Sequence, residues 1–185
     1  MGQSERVLMS LRALRQMAPW RAGRGPVRAD TTVTWFRVAP SDLDVLLHMN
    51  NGRYLSILDA GRVDMFVRGG LWTALRREGW HPVVAAQSIT YIASLTFWTR
   101  FSVTTRLLGF DTKNAYLEQT FDAGGRICAS AVVALRILDG EGRSVPSARV
   151  RDLFDPAAVP ALVDDRDIPL GRRTQHDVVT TFDGP

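Results

Sequence analysis

Cysteine is nearly missing from this chain, since Cys128 stands alone among 185 residues. No internal disulfide can form, and no cysteine-based zinc pattern exists. Cys128 lies in Ile127-Cys128-Ala129-Ser130-Ala131, the composition of a tightly packed strand. It reads as a small core residue, because a reactive thiol needs exposure and a positive neighbour. Long apolar runs are missing too: the best candidate, Ala129 to Leu135, is interrupted by Ser130 and falls well short of the roughly 18 residues of a membrane-spanning helix. There is no glycine-rich phosphate loop and no βαβ repeat, which sets aside the common nucleotide-binding architectures. Charge of one sign is confined to the N-terminus, where Arg6, Arg12, Arg15, Arg21, Arg24 and Arg28 face only Glu5 and Asp30. The rest of the chain balances acid and base, so the net charge of +4 describes an arm and not the domain. Nucleic acid is not an expected partner.

What is present fits one well-buried domain, with 45% hydrophobic and 23% charged residues. The chain divides into a basic arm and linker (1–29), a domain (30–155) and a C-terminal tail (156–185). In residues 4–20, Val7, Leu11, Leu14 and Ala18 recur on one side of an amphipathic helix, with Arg12, Arg15 and Gln16 largely opposite. Its apolar stretch is too short for an export signal. Three readings of the arm stand: a peripheral membrane helix, an arginine-rich transit peptide, or a helix packed on the domain or a partner. The expected location is cytoplasmic, with peripheral membrane contact through 4–20 or a mitochondrial address as alternatives.

Thr31 to Val38 has strand character, with Val33, Trp35 and Arg37 on one face and Thr34, Phe36 and Val38 on the other. From Asn51 to Arg68, Tyr54, Leu58, Gly61 and Met65 recur at helical spacing, and Gly69-Gly70 ends the pattern. Leu71 to Gly79 reads as a short helix. Four strands follow: Val83 to Ile92, Trp98 to Gly109, Ala115 to Phe121 and Arg126 to Leu138, the last apolar enough to sit inside the sheet. Asp122-Ala123-Gly124-Gly125 fits a hairpin turn. Ser147 to Leu153 reads as a short closing helix. One strand, a long helix and four successive strands give an α+β class, and a five-stranded antiparallel sheet can wrap such a helix.

The densest chemistry is Asp42-Leu43-Asp44-Val45-Leu46-Leu47-His48-Met49-Asn50-Asn51-Gly52-Arg53-Tyr54, which places acid, imidazole and amide groups just before the long helix. A helix start offers unpaired N–H groups and partial positive charge, so it can hold a carbonyl oxygen that becomes negative. That arrangement suits acyl transfer. Asp42 also fits a plain backbone-bonding turn, Asn50 and Asn51 fit helix caps, and Tyr54 falls on the buried stripe. Arg53 and Arg62 are read as solvated or interfacial. Asp42, Asp44 and His48 form a weak metal set at best, and no metal or cofactor is expected.

The pattern D-x-D-x-x-x-H-M-N-N-x-x-Y, set between a strand and a helix followed by four strands, resembles the hotdog fold of acyl-CoA thioesterases over residues 30–155. It is most similar to the 4-hydroxybenzoyl-CoA thioesterase-like group and to its thioesterase-superfamily-member-six branch. The resemblance implies a sheet wrapped around a long central helix, a homodimer or homotetramer with sites between subunits, and an acyl chain lying beside the helix. It implies acyl-CoA hydrolysis with Asp44 as nucleophile or general base, and His48 would then orient Asp44 or the substrate. Helix-start amides near Asn50 and Asn51 would hold the oxyanion, and Asn50, Asn51 and Tyr54 would contact substrate. Leu46 departs from the related D-x-N-x-H pattern. Two other functions stay open: a non-catalytic acyl-CoA or lipid binder, favoured by the greasy Leu46-Leu47, and a membrane-associated dimeric adaptor working through its arm. A hotdog dehydratase is disfavoured, because no His-Phe-Pro-Gly type segment occurs.

Overall fold

A computed structural model of the chain describes residues 26–157. Its elements are β1 (Thr32–Arg37), a 3-10 turn (Pro40–Asp42), α1 (Asn51–Arg68), α2 (Leu71–Glu78), β2 (His81–Tyr91), β3 (Arg100–Phe110), β4 (Asn114–Ala123), β5 (Arg126–Leu138) and α3 (Ser147–Arg151). The strands form one five-stranded sheet in the order β1-β3-β4-β5-β2, every pair antiparallel. The strands and helices expected of the domain are in place. The 3-10 turn was not foreseen; it forms where Pro40 opens a tight turn and the Asp42 carboxylate accepts from the Ala39 N–H at 2.8 Å. The amphipathic segment 4–20 and the tail beyond residue 157 lie outside the described residues.

Side-chain alternation sets which face of each strand is covered. In β1, Thr32 and Thr34 are buried while Val33, Trp35 and Arg37 face outward. At the β4–β5 hairpin, Gly124 and Gly125 take φ values of 66° and 87°, a left-handed pair that glycine enters without steric cost, and Asp122 accepts from the Gly125 N–H. Asn50 starts α1 by accepting from the Gly52 N–H at 2.9 Å. Gly69 ends it, its N–H donating to the Met65 carbonyl.

The helix approaches the sheet closely at Gly61, where an added Cβ would come within 3.1 Å of Gln119 Nε2, 3.2 Å of Thr105 Oγ1 and 3.3 Å of Val103 Cγ1. Here the reading of Arg62 as solvated or interfacial is corrected, for it is only 3% exposed. It sits beside Gly61 on the sheet side, and its Nη1 donates to Gln119 Oε1 at 2.7 Å while Nη2 reaches Asp59. Gln119 Nε2 donates to the Leu58 carbonyl and to Thr105 Oγ1, both at 3.0 Å. Burial lowers the Arg62 pKa and the Asp59 carboxylate pulls it back up. Two residues on, buried Asp64 accepts from Thr34 Oγ1 at 2.6 Å and from Arg68 Nε at 2.8 Å.

These groups form a polar layer between two apolar clusters. Along α1 the order is Leu58, Arg62, Met65; along β3 it is Val103, Thr105, Leu107; along β4 it is Phe121, Gln119, Leu117. Each fully buried Leu or Phe contributes roughly 1.5–3 kcal/mol. A buried polar group left without a partner costs about 1–3 kcal/mol. The layer is therefore compatible with the core only because its donors and acceptors meet one another.

Candidate active site

Between β1 and α1 the chain folds back as a narrow turn. Leu43 pairs with Met49 across its base, and the Asp44 N–H donates to the His48 carbonyl at 2.8 Å. Inside that base, Asp44 Oδ1 accepts from the Leu46 N–H at 2.9 Å and the His48 N–H at 3.2 Å. Among the described residues, Asp44 Oδ2 has no hydrogen-bond partner, so one oxygen is clamped and the other is open. His48 thus meets Asp44 through its backbone N–H, and the residue itself is exposed. The clamp leaves Val45, Leu46 and Leu47 at the tip of the turn, 97%, 70% and 69% exposed.

The turn is fixed to the helix start. The Asn50 N–H donates to the Asp42 carbonyl at 2.8 Å, and the Met49 N–H to the Leu95 carbonyl at 2.7 Å. In the first turn of α1, the Gly52 N–H is taken by Asn50 Oδ1 and the Arg53 N–H by the Asn50 carbonyl at 2.8 Å. The Asn51 N–H has no partner among the described residues, which makes it the donor available to an anion. Asn51 also accepts from the Tyr91 hydroxyl at 3.3 Å. Tyr54 is 3% exposed and lies beneath, its ring 5.1 Å from Tyr91 and 5.0 Å from Phe121. Burial raises its phenol pKa, against a hydrogen bond with the Leu95 backbone.

Asp44, His48, Asn50 and Asn51 therefore converge at one end of α1, with Tyr54 as packed floor. Asp42 bonds the local backbone, its Oδ2 accepting from the Ala39 N–H at 2.8 Å. Arg53 is a brace: its Nε and Nη2 donate to the Ser41 carbonyl at 3.1 and 2.8 Å, and Nε lies 3.7 Å from Asp42 Oδ1. Sequence reading missed Tyr91 and the Arg53 brace, whose partners lie 40 and 12 residues away. Cys128 is buried as expected, and burial raises its thiol pKa.

A family model described as the thioesterase-like superfamily matches residues 38–166. A curated relative, Protein THEM6 of Xenopus laevis, is 44% identical over 99 residues, covering 54% of this chain and 48% of the relative. The chain thus spans about half the length of the curated relatives it matches. Among solved structures, the YbaW probable thioesterase from Escherichia coli superposes with a TM-score of 0.62 at 22% identity, covering 65% of this chain and 93% of that one. SAV2348 from Staphylococcus aureus, solved in complex with CoA, superposes with a TM-score of 0.61 at 15% identity, covering 86% and 100%.

Proposed function

This chain belongs to the thioesterase-like superfamily, and from that membership we propose that it hydrolyses an acyl-CoA thioester to the free acid and CoA at Asp44. The observation that carries the proposal is the half-clamped carboxylate, fixed by two amides through Oδ1 with Oδ2 open beside the start of α1. Attack on the thioester carbonyl makes its oxygen negative, and a preorganised donor such as the Asn51 N–H is worth roughly 2.7–4 kcal/mol of barrier at oxyanion sites elsewhere. Two routes balance. Asp44 attacks, the C–S bond breaks to release CoA as thiolate, and water cleaves the mixed anhydride; or Asp44 takes a proton from a water that attacks directly. Thiols ionise near ~8.5, so the thiolate leaves without a dedicated acid. Asn50 and Asn51 contact the substrate, the exposed His48 imidazole orients it or the water, and Tyr54 supports them from below. Neither a metal nor a cofactor is required. In this reading the sheet wraps α1, the acyl chain runs beside the helix, and a second copy completes a homodimer or homotetramer.

Leu46 supports a second reading. Its side chain is 70% exposed where an Asn would stand in D-x-N-x-H, so the turn supplies only a backbone N–H there, and the protein then retains acyl-CoA without cleaving it. Thiol release from short-, medium-, long-chain and aromatic acyl-CoAs separates the two: release from any of them supports hydrolysis, whereas binding without release supports the ligand carrier. Label found in the Asp44 carboxylate after a single turnover in 18O-water then identifies the anhydride path, because water that opens the anhydride at the Asp44 carbonyl carbon leaves its oxygen there.

A further inference from the structure

Next to the Asp44 turn, the segment 95–99 crosses the end of β1. The Val38 N–H donates to the Thr99 carbonyl at 2.9 Å, the Trp98 N–H to the Val38 carbonyl at 3.1 Å, and His48 bridges to Thr96. This junction carries Val45, Leu46, Leu47, Phe97 and Trp98, all large, apolar and 53–97% exposed. Leu47 and Trp98 hold φ values of 60° and 63°, a left-handed conformation that L-residues rarely adopt. Two strained positions therefore present apolar side chains to the outside.

Beside them runs an open groove of about 330 Å³ lined by Val33, Trp35, Phe36, Arg37, Arg68 and Arg100, with no acidic residue in its wall. The Arg37 guanidinium lies 5.2 Å from the Trp98 ring centroid and that of Arg100 lies 4.5 Å from Trp35. Arg68 is held by buried Asp64. The face is thus an apolar projection rimmed by arginines stacked on tryptophans.

We propose that this face seats on an anionic phospholipid bilayer, with a headgroup phosphate in the Arg37, Arg68 and Arg100 groove and with Phe97, Trp98 and the 45–47 tip in the acyl layer. Charge complementarity selects the occupant: guanidinium groups pair with phosphate in forked geometry, and basic residues are attracted to an anionic lipid surface. Tryptophan suits the boundary between headgroup and chain, having an apolar body and one polar N–H. Val45, at 97% exposure, projects beyond its own chain, as a penetrating side chain must. The attachment uses residues other than the basic arm, and it holds whether or not the Asp44 site hydrolyses thioesters.

The test is sedimentation of the full-length chain with phosphatidylcholine vesicles, with and without phosphatidylglycerol. Stronger partition onto the anionic vesicles is expected. With the arm untouched, the double variant Phe97→Ser/Trp98→Ser should lower partition by about tenfold or more, and Arg37→Gln/Arg100→Gln should reduce the preference for phosphatidylglycerol below that of wild type. Tryptophan quenching by brominated acyl chains, diminished in Trp98→Phe, reports insertion even if the double variant fails to fold. Wild-type protein that stays off both vesicles, double variants that partition like wild type, or quenching unchanged by Trp98→Phe would overturn the proposal. So would variants that alter only the oligomeric state in light scattering, which would assign the face to a second copy of the chain.

Discussion

Gly61 and Gln119 meet at the point where helix and sheet come nearest, and their chemistry leaves little room for substitution. Gly61→Ala brings a methyl group to 3.1–3.3 Å from three side-chain atoms and should cost about 1–3 kcal/mol in urea denaturation. Gln119→Leu removes the acceptor of Arg62 Nη1 and the donor to the Leu58 carbonyl and Thr105 Oγ1, and should cost a similar ~1–3 kcal/mol from those buried groups left without this partner, while Arg62 keeps Asp59. Asp111 offers a pH test. Desolvation pushes its carboxyl pKa upward, but hydrogen bonds from the Tyr116 hydroxyl, the Lys113 and Asn114 amides and the Asn114 side chain outweigh it, and the pKa falls below 3.8. A depressed folded-state pKa stabilises the native state above the unfolded value, and that contribution is lost as pH drops through the folded one. The Tm gap between wild type and Asp111→Ala should be full at neutral pH and should close in acid below pH 3.8; a gap that stays constant would contradict this assignment. At this scale the sequence was only partly legible. Asp44 stands out because its motif is local, whereas the Arg62–Gln119 bond joins residues 57 apart, so a charged residue beside the buried stripe of α1 looked solvated.

Among the elements, β1 is the shorter of the two edge strands, pairing only with β3 and tied to α1 by the Thr34–Asp64 hydrogen bond. Thr34→Val should destabilise the protein by about 1–3 kcal/mol. It should also speed amide hydrogen exchange in β1 ahead of β4, which is paired on both sides. Uniform acceleration across the sheet would show that β1 does not open by itself. The elements were largely readable from sequence: alternation of Phe101, Val103 and Leu107 with polar neighbours marks β3, and the four- and three-residue recurrence of Tyr54, Leu58, Gly61 and Met65 marks α1. The 3-10 turn escaped because its signal is one proline and one carboxylate. The clamp inside the 44–48 turn escaped because backbone donors carry no sequence signature.

For the whole molecule, β2 is an eleven-residue edge strand paired on one side only, with Val84 and Tyr91 exposed. Such an edge invites a second copy. Sedimentation equilibrium should find a dimer or tetramer, and Val84→Lys should shift it toward monomer; an unchanged mass would place the contact elsewhere. The decisive measurement is thiol release by wild type and Asp44→Asn on the acyl-CoA cleaved fastest, with thermal melts of both. Asn preserves an acceptor for the Leu46 and His48 amides but removes the reactive carboxylate. A loss of about 10²–10⁴-fold in kcat/KM at unchanged Tm is expected. Release by Asp44→Asn at the wild-type rate would contradict the assignment of the reaction to Asp44.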